Sequence, residues 1–286
     1  MPEINIYELQ DLALSARKQI LRMSTNGGCF TGASLSCADL MVYLYASGIL
    51  NISPENVRSP ERDRVFLSKG HDVPALYAIL AELGYFPKER LKYHLKAQDH
   101  IYWHPNTQLP GVEFHSGSLG HLPSVALGVA LDLNLKKKSN KVIVIVGDGE
   151  LNEGSVWETL LVAQALKIKN YIMVVDRNWF QANMKTEDLV PLEPLEEKFK
   201  AFGCDVHRVN GHNFQALHQT FTALDYTLPQ PHVVICDTIR GKGVKSIEER
   251  ADRWFCNFTP EEVEMLIQEL HGYTSTSLNT EGMVVR

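Results

Sequence analysis

Apolar side chains recur every three or four residues in the amino-terminal part of the chain, which is the spacing of one face of an α-helix. Between residues 6 and 24 this spacing is carried by Leu9, Leu12, Ala13, Ala16, Ile20 and Met23. The pattern predicts a helix over 6–24, which the glycine-containing segment 27–32 ends. It then predicts a helix over 38–50, a short strand over 64–68 and a helix over 74–83.

From residue 124 onward, stretches with helical spacing alternate with short runs rich in apolar residues. The runs predict strands over residues 141–146, 170–176, 204–209 and 232–238. The stretches around them predict helices over residues 124–135, 153–167, 193–202, 213–225 and 260–270. Fully apolar strands that alternate with helices are typical of a parallel sheet with both faces covered. We therefore predict an α/β fold, with a mostly parallel sheet and helices on both of its faces.

Residues 97–124 have a different character, because they are rich in His, Gly, Pro, Asn and Ser and show no periodicity. A loop of this length inside a compact domain is usually functional. No repeat or linker divides the chain elsewhere. The sequence therefore predicts one domain over residues 1–270, followed by a polar tail over residues 271–286.

Composition narrows the class of protein. The chain has 286 residues, 44% of them hydrophobic, which is enough to fill a globular core. Its formal net charge of -6 gives no electrostatic reason to expect nucleic acid or an anionic membrane as a partner. The 5 cysteines form neither a disulfide framework nor a zinc spacing, which favours a reducing compartment. Because signal-peptide and membrane-spanning patterns are also lacking, we expect a cytoplasmic protein.

Two predicted strands end in polar residues that suit a metal ion. Strand 141–146 continues into Gly147-Asp148-Gly149-Glu150, and strand 170–176 leads to Asn178. Ligands of open parallel sheets bind beyond the carboxyl ends of the strands, so Asp148 and Asn178 are expected at one edge. Their oxygens suit Mg²⁺ or Ca²⁺, and Mg²⁺ usually completes its coordination with phosphate oxygens and water. For the tripeptide alone, the alternative is an ordinary turn in which Asp148 caps the next helix.

The pair formed by Gly147-Asp148-Gly149 and Asn178 resembles the signature of thiamine-diphosphate-binding proteins. Other segments resemble the transketolase family specifically and stand in that family's order. They are Leu67-Ser-Lys-Gly-His71, His104-Pro, Leu109-Pro-Gly-Val-Glu113, Gly117-Ser-Leu-Gly120, Glu153-Gly, Val175-Asp-x-Asn178 with Gln181, and Arg240-Gly-Lys-Gly-Val244. The resemblance implies the thiamine-diphosphate-binding fold in its diphosphate-binding form. Its implied cofactors are thiamine diphosphate and Mg²⁺, or Ca²⁺ in its place.

The resemblance also implies roles for individual residues. Asp148, Asn178 and the backbone carbonyl of Phe180 would hold the metal ion. The other implied cofactor contacts are His71, Gly117, Leu119, Gly147, Gly149, Glu150 and Lys242.

Three histidines are candidates for proton transfer and for binding substrate hydroxyls, because imidazole titrates near neutral pH. They are His71, His104 and His121. Taken singly, each would be interpreted as a surface or packing residue, but their loops beside glycines favour a site. Glu153 and Glu158 match acidic positions that the family places at the dimer interface, between paired active sites.

The resemblance covers only part of the enzyme that it points to. In the transketolase family the catalytic glutamate lies in a pyrimidine-binding domain that follows the diphosphate-binding domain. This chain matches the diphosphate-binding domain alone. The resemblance therefore implies a split enzyme with α2β2 assembly, whose second subunit carries the pyrimidine-binding domain and the glutamate. The expected reaction moves a two-carbon ketol unit between a ketose and an aldose, with sugar phosphates or related carbonyl compounds as substrates.

Some positions depart from the family pattern. Phe30 stands where a sugar-contacting histidine is usual, Phe255 follows Trp254 where a histidine is frequent, and His121 replaces a glutamine. Phenyl rings cannot hydrogen-bond hydroxyls, so we expect weaker binding of polyol sugars and more tolerance of apolar acceptors. The alternative is that Phe30 and Phe255 are ordinary core residues.

Two other functions stay open at this point. One is a subunit of a decarboxylating 2-oxo acid enzyme that also uses thiamine diphosphate. The other is a regulatory module that binds metal and phosphate without catalysis.

Overall fold

The fold is built on a five-stranded parallel sheet. The computed structural model describes residues 4–272 together with Leu278 and Thr280. Its strands are β1 (Arg64–Leu67), β2 (Val142–Gly147), β3 (Tyr171–Arg177), β4 (Phe180–Gln181), β5 (Met184–Lys185), β6 (Asp205–Asn210) and β7 (His232–Asp237). The large sheet has the order β1-β2-β3-β7-β6, while β4 and β5 form a small antiparallel hairpin. All pairs of neighbouring strands in the large sheet are parallel, as predicted.

Helices cover both faces of this sheet. They are α1 (Ile6–Met23), α2 (Thr31–Ser36), α3 (Ala38–Ala46), α4 (Val73–Glu82), α5 (Leu122–Leu135), α6 (Gly154–Ala165), α7 (Thr186–Leu189), α8 (Leu195–Ala201), α9 (Phe214–Ala223) and α10 (Pro260–Leu270). One apolar cluster joins α1, α3, α4, α9 and α10 to one face, and includes Ile143 and Ile145 of β2. The other joins α5, α6 and α8 to the opposite face, and includes Val142 and Val144. The predicted α/β architecture is therefore confirmed.

The register of the strands brings three strand ends to one edge. Gly147 at the end of β2 lies beside Asp176 of β3, and Arg177 lies beside Asp237 at the end of β7. The chain passes from β3 to the outer strand β6 before it returns to β7, so the strand order reverses between β3 and β7. Such a reversal opens a crevice at the carboxyl ends, which is where open α/β sheets bind ligands.

The structure adds elements that the sequence pattern did not predict. Helix α2 begins at Thr31, inside the segment expected only to end the first helix, and all of its residues are buried. A helix buried on every side has no polar face, so it lacks the periodicity that reveals a surface helix. The β4–β5 hairpin and α7 occupy a stretch with no predicted element, and strands of two residues are too short to show alternation.

Three further predictions concern membrane-spanning helices, the carboxyl-terminal tail and the long loop. Among residues 4–272, no helix is both long enough and apolar enough to cross a membrane. The predicted polar tail over residues 271–286 falls almost entirely outside the described residues. The predicted loop over residues 97–124 contains no regular strand or helix until α5 begins at Leu122.

Helix α10 offers a direct test of the packing. Leu266 is fully buried in the cluster that contains α1, whereas its neighbour Met265 is 42% exposed. We expect Leu266→Ala to lower the free energy of unfolding by about 2–5 kcal/mol, because it leaves a cavity in a packed core. The matched variant Met265→Ala should change it by less than about 0.5 kcal/mol. Denaturant unfolding of the purified chain measures both values, and equal effects would contradict the assigned burial.

Candidate active site

A cavity of about 220 Å³ lies at the carboxyl ends of β1, β2 and β3. Most of the predicted cofactor and metal residues line it. These are His71, Leu119, Gly147, Asp148, Gly149, Glu150, Asn178 and Phe180. The cavity is also lined by Lys69, Asp72, Gln181, Arg240 and Trp254, which the predictions did not include.

Asp148 is held rigidly where β2 ends. Its Oδ1 accepts a hydrogen bond from the Gly149 amide at 2.9 Å, and its Oδ2 accepts one from the Trp179 amide at 2.7 Å. The guanidinium of Arg177 lies 3.0 Å from Oδ2, but it is shared with the carboxylates of Glu187 and Glu193. Burial raises the pKa of Asp148 to about 6, against the opposing effect of Arg177. A divalent cation would relieve the cost of this buried, incompletely compensated carboxylate.

Asn178 and Gly149 complete the polar side of the cavity. The Asn178 side chain donates to Asp176 Oδ2 at 2.9 Å and accepts from the Phe180 amide at 3.1 Å, which fixes the direction of its amide group. A Cβ atom on Gly149 would lie 2.8 Å from Gln181 Cγ, so only glycine fits at that turn. Carboxylate, amide and carbonyl oxygens are the hard ligands that Mg²⁺ and Ca²⁺ prefer. The donor set therefore fits the predicted metal ion.

A buried lysine cluster supports the cavity wall. Lys69 is 1% exposed, and its ammonium lies 2.6 Å from Asp72 Oδ2 and 2.5 Å from Asp176 Oδ2. Asp176 also accepts from Ser36 Oγ at 2.7 Å and from Thr238 Oγ1 at 2.5 Å. Burial alone would lower the pKa of Lys69, but the Asp176 and Asp72 carboxylates outweigh it and hold that pKa well above its usual value. The lysine therefore stays charged, and its single ammonium pairs with both carboxylates.

Glu150 contributes to the site through the backbone around it. One oxygen of its carboxylate accepts from the Ser68 hydroxyl and from the Gly120 amide, the latter at 2.8 Å. Its other oxygen accepts from the Gly147 amide at 3.3 Å. Burial raises the pKa of Glu150, against these hydrogen bonds. The carboxylate thus ties the loop that carries Leu119 to the end of β2, and it acts as a positioning group.

Two of the predicted catalytic histidines lie near this cavity in a neutral state. His71 lines the cavity in a 3-10 helix over Gly70–Asp72, and its Nε2 lies 3.5 Å from Asp72 Oδ1. His104 packs against Gly117, where a Cβ atom would come within 2.8 Å of the imidazole ring. Burial lowers the pKa of both histidines. Near neutral pH, both rings are therefore uncharged and able to accept a proton.

The residues that line the cavity do not include four of the predicted residues: His104, Gly117, His121 and Lys242. His121 lies exposed at the start of α5, where its Nδ1 is within hydrogen-bonding distance of Ser118 Oγ and the Leu119 carbonyl. Lys242 lies in a separate depression beside Arg17 and Asp39, and its carbonyl accepts from Arg17 Nε at 2.9 Å. Gly241, with φ of 77°, forms the turn between Arg240 and Lys242.

Arg240 is a second cation in the cavity lining, beside Lys69, and the predictions did not include it. It is 1% exposed, its Nη1 donates to the Ala182 carbonyl at 2.6 Å, and its guanidinium lies 5.1 Å from the centre of the Phe180 ring. Its Nε and Nη2 atoms find no hydrogen-bond partner among the described residues. Burial lowers the pKa of Arg240 to about 10, so the group is still charged. A buried guanidinium with two free donors is a ready binding group for phosphate oxygens.

The lysine cluster generates a stability prediction. Lys69→Met should lower the free energy of unfolding by about 3–5 kcal/mol, because it leaves two buried carboxylates without their counter-charge. Lys136→Met is the matched control, since Lys136 pairs with Asp132 on the surface with 63% of its side chain exposed. That change should cost less than about 1 kcal/mol. Denaturant unfolding of the two variants compares them, and a small effect at Lys69 would show that the cluster does not support the fold.

Comparison with known proteins places this geometry in a family. The model of the family described as transketolase, thiamine diphosphate binding domain, matches residues 18–279. An apulose-4-phosphate transketolase subunit of Actinobacillus succinogenes is 36% identical over 266 residues, which cover 92% of this chain and 96% of the relative. The 6-deoxy-6-sulfo-D-fructose transketolase subunit SqwG of a Clostridium species is 34% identical over 273 residues, with coverages of 92% and 96%.

A solved structure agrees with these relatives. The crystal structure of transketolase from Campylobacter jejuni matches with a TM-score of 0.85 and 28% sequence identity, and the match covers 94% of this chain. It covers only 43% of the Campylobacter chain, so this protein spans less than half of that transketolase. The family model, the relatives and the shared fold lead to one conclusion: the chain belongs to the transketolase family, as a thiamine-diphosphate-binding domain.

Proposed function

We propose that this chain is the diphosphate- and metal-binding subunit of a two-chain transketolase. The enzyme would move a two-carbon ketol unit from a ketose to an aldose, with sugar phosphates or related carbonyl compounds as substrates. One observation carries the proposal. Arg240 presents two free donors in the same cavity in which Asp148 and Asn178 offer oxygen ligands. A diphosphate with its metal ion needs that combination, because the anion requires a cation donor and the metal requires oxygens.

The residues divide the binding of the cofactor between them. Asp148, Asn178 and the Phe180 carbonyl would hold Mg²⁺, and Arg240 would donate to diphosphate oxygens. Glycine at position 149 allows the backbone to come close to the anion. The chemistry that thiamine diphosphate supplies when bound is a stabilised carbanion, which cleaves and forms carbon–carbon bonds next to a carbonyl group.

His71 and His104 are proposed to handle the substrate's protons. Both imidazoles are neutral because burial lowers their pKa values. Each ring therefore has one nitrogen that accepts and one that donates a hydrogen bond. That suits them to orient a hydroxyl of the sugar and to accept its proton as a carbonyl forms.

The partner is proposed to be a separate subunit with a pyrimidine-binding domain and a catalytic glutamate. The relatives from Actinobacillus and Clostridium are named as transketolase subunits, and this chain covers 96% of each of them. The Campylobacter transketolase has more than half of its chain outside the match. We infer that the chain is inactive alone and that the unmatched functions reside on the second subunit.

Self-association into an α2β2 assembly is supported by helix α6. Leu161, Val162 and Leu166 are 55%, 49% and 48% exposed on or just beyond this helix, which forms an apolar face toward solvent. Glu153 and Glu158 are exposed at the same helix, where the resemblance implies a dimer interface. Large apolar side chains exposed together on one helix support a protein contact there. We propose that two copies of this chain meet through it.

The cofactor site is tested by Asp148→Asn, which keeps the shape of the side chain but removes its charge. In the assembled two-chain protein, the variant should bind thiamine diphosphate in the presence of Mg²⁺ at least about 100-fold more weakly. Asp11→Asn, on the exposed surface of α1, removes the same charge elsewhere and should leave binding unchanged. Isothermal titration measures the affinities. Equal binding by the wild type and the Asp148 variant would refute the metal site.

The reaction itself is tested by turnover of the assembled protein. With Mg²⁺, thiamine diphosphate and the second subunit, ketol transfer from a ketose phosphate should exceed decarboxylation of a 2-oxo acid lacking the ketol hydroxyl. The reverse preference would favour the decarboxylating enzyme. Absence of turnover on both substrates, with cofactor bound, would favour the regulatory module.

The α6 face is tested by Leu161→Glu. A charge placed there would be buried without a partner at the proposed contact, so the association of the two halves should weaken by at least about 100-fold. Met265→Glu, at a residue on α10 that is 42% exposed, is the matched control and should leave the assembly intact. Sedimentation velocity distinguishes the four-chain from the two-chain mass. If the Leu161 variant keeps the four-chain mass, the two copies meet elsewhere.

A further inference from the structure

Four aromatic side chains pack together beside the cofactor cavity, and we name them the aromatic wall: Phe30, Trp103, Trp254 and Phe255. The Phe30 ring centre lies 4.9 Å from that of Trp254, 5.2 Å from that of Phe255 and 6.1 Å from that of Trp103. Trp103 stacks on Phe255 at 5.4 Å with an interplanar angle of 10°. The rings therefore form one continuous apolar surface.

The backbone holds the aromatic wall in place. Cys29 and Cys256 form an isolated antiparallel bridge, with N–H to carbonyl distances of 2.9 and 3.0 Å. This bridge sets Phe30 and Phe255 side by side, although they are far apart in the sequence. Gly28, with φ of 79°, allows the close approach, since a Cβ atom there would lie 2.6 Å from the Cys256 carbonyl oxygen. The position of the wall is thus determined by main-chain geometry.

The wall borders the cavity through Trp254, whereas Phe255 is buried behind it at 6% exposure. Trp254 lines the cavity, and so does His71, whose ring centre lies 5.5 Å from that of Phe30. Ala33, one helical turn after Phe30, also lines it, so this side of α2 faces the cavity. Phe30 itself is only half-buried. In the described part of the chain, Phe255 joins neither of the two apolar clusters that cover the sheet.

The chemistry of the wall discriminates between carbonyl substrates. The rings of Phe30 and Phe255 neither donate nor accept ordinary hydrogen bonds, and each indole of the wall offers one N–H donor and no acceptor. A hydroxyl pressed against the ring faces therefore loses its bonds to water without replacement. A methyl or methylene group in the same place gains by leaving water. His71 and His104 remain available for the hydroxyls of the transferred ketol unit.

We propose that the aromatic wall selects an acceptor aldehyde that carries an apolar group, methyl or methylene, beside the reacting carbonyl in place of a hydroxyl-bearing carbon. This inference rests on the proposed ketol transfer. The assay reaction uses β-hydroxypyruvate as the donor. One carbon–carbon bond breaks and releases CO₂, one forms between the two-carbon ketol unit and the aldehyde carbon, and the aldehyde oxygen takes up a proton to become a hydroxyl.

The test compares two aldehydes of nearly equal size on the assembled two-chain enzyme: propanal, which ends in a methyl group, and glycolaldehyde, which ends in a hydroxyl. The wild type should favour propanal by at least about 10-fold in kcat/KM. Phe30→His, which introduces a hydrogen-bonding ring at a half-buried position, should reduce that preference at least about 10-fold. Phe30→Leu should keep it, because the side chain stays apolar. Tyr7→His exchanges an aromatic ring that is 81% exposed on α1 and should leave the ratio unchanged.

The outcomes separate the two proposals. If ketol transfer occurs but the wild type prefers glycolaldehyde, the selective role of the wall is refuted and the proposed function stands. The selective role of the wall is also refuted if a folded, cofactor-binding Phe30→His enzyme keeps a propanal-to-glycolaldehyde ratio of kcat/KM within twofold of the wild type. If neither aldehyde accepts a ketol unit from β-hydroxypyruvate, the proposed transfer itself fails, and the inference fails with it. The propanal-to-glycolaldehyde ratio of the wild-type enzyme tests the inference even if a variant does not fold.

Discussion

The carboxylate of Asp176 is the contact on which the geometry of the site depends. It lies on β3 in the middle of the sheet and receives the Lys69 ammonium at 2.5 Å, the Ser36 hydroxyl at 2.7 Å and the Thr238 hydroxyl at 2.5 Å. Lys69 follows β1, Ser36 ends α2 and Thr238 follows β7. A single buried anion thus joins segments that are distant in sequence. Its own burial is tolerable only because Lys69 brings the opposite charge.

Beside this cluster, the cavity holds two charged groups whose pairing is incomplete. Asp148 shares Arg177 with two other carboxylates, and Arg240 has two donors without partners in the described part of the chain. Both groups are desolvated, and a metal ion at Asp148 and an anion at Arg240 would reduce that cost. This contrast distinguishes a supporting network from a binding site. The aromatic wall adds an apolar side to the same cavity, so cofactor binding and substrate selection use different surfaces.

Much of the site follows from local sequence. Asp148 and Asn178 come directly after two apolar strands, and parallel strands present such residues at the same edge. Other positions do not follow from it. Arg240 and Lys242 are separated by one glycine, yet Arg240 lines the cavity and Lys242 lines a separate depression. His121 shares its loop with Leu119, but the start of α5 leaves its ring exposed.

The sequence by itself determined the class of the sheet, the faces it buries and the edge at which Asp148 and Asn178 lie, because these depend on periodicity and on residues near strand ends. The sequence pattern did not predict helix α2, since a fully buried helix shows no periodic change between polar and apolar residues. Only the tertiary structure decided that Phe30 and Phe255 share one surface. The backbones of Cys29 and Cys256 pair through an isolated antiparallel β-bridge, which joins segments more than two hundred residues apart. Contacts of that kind arise from the packing of the whole chain, and no local pattern encodes them.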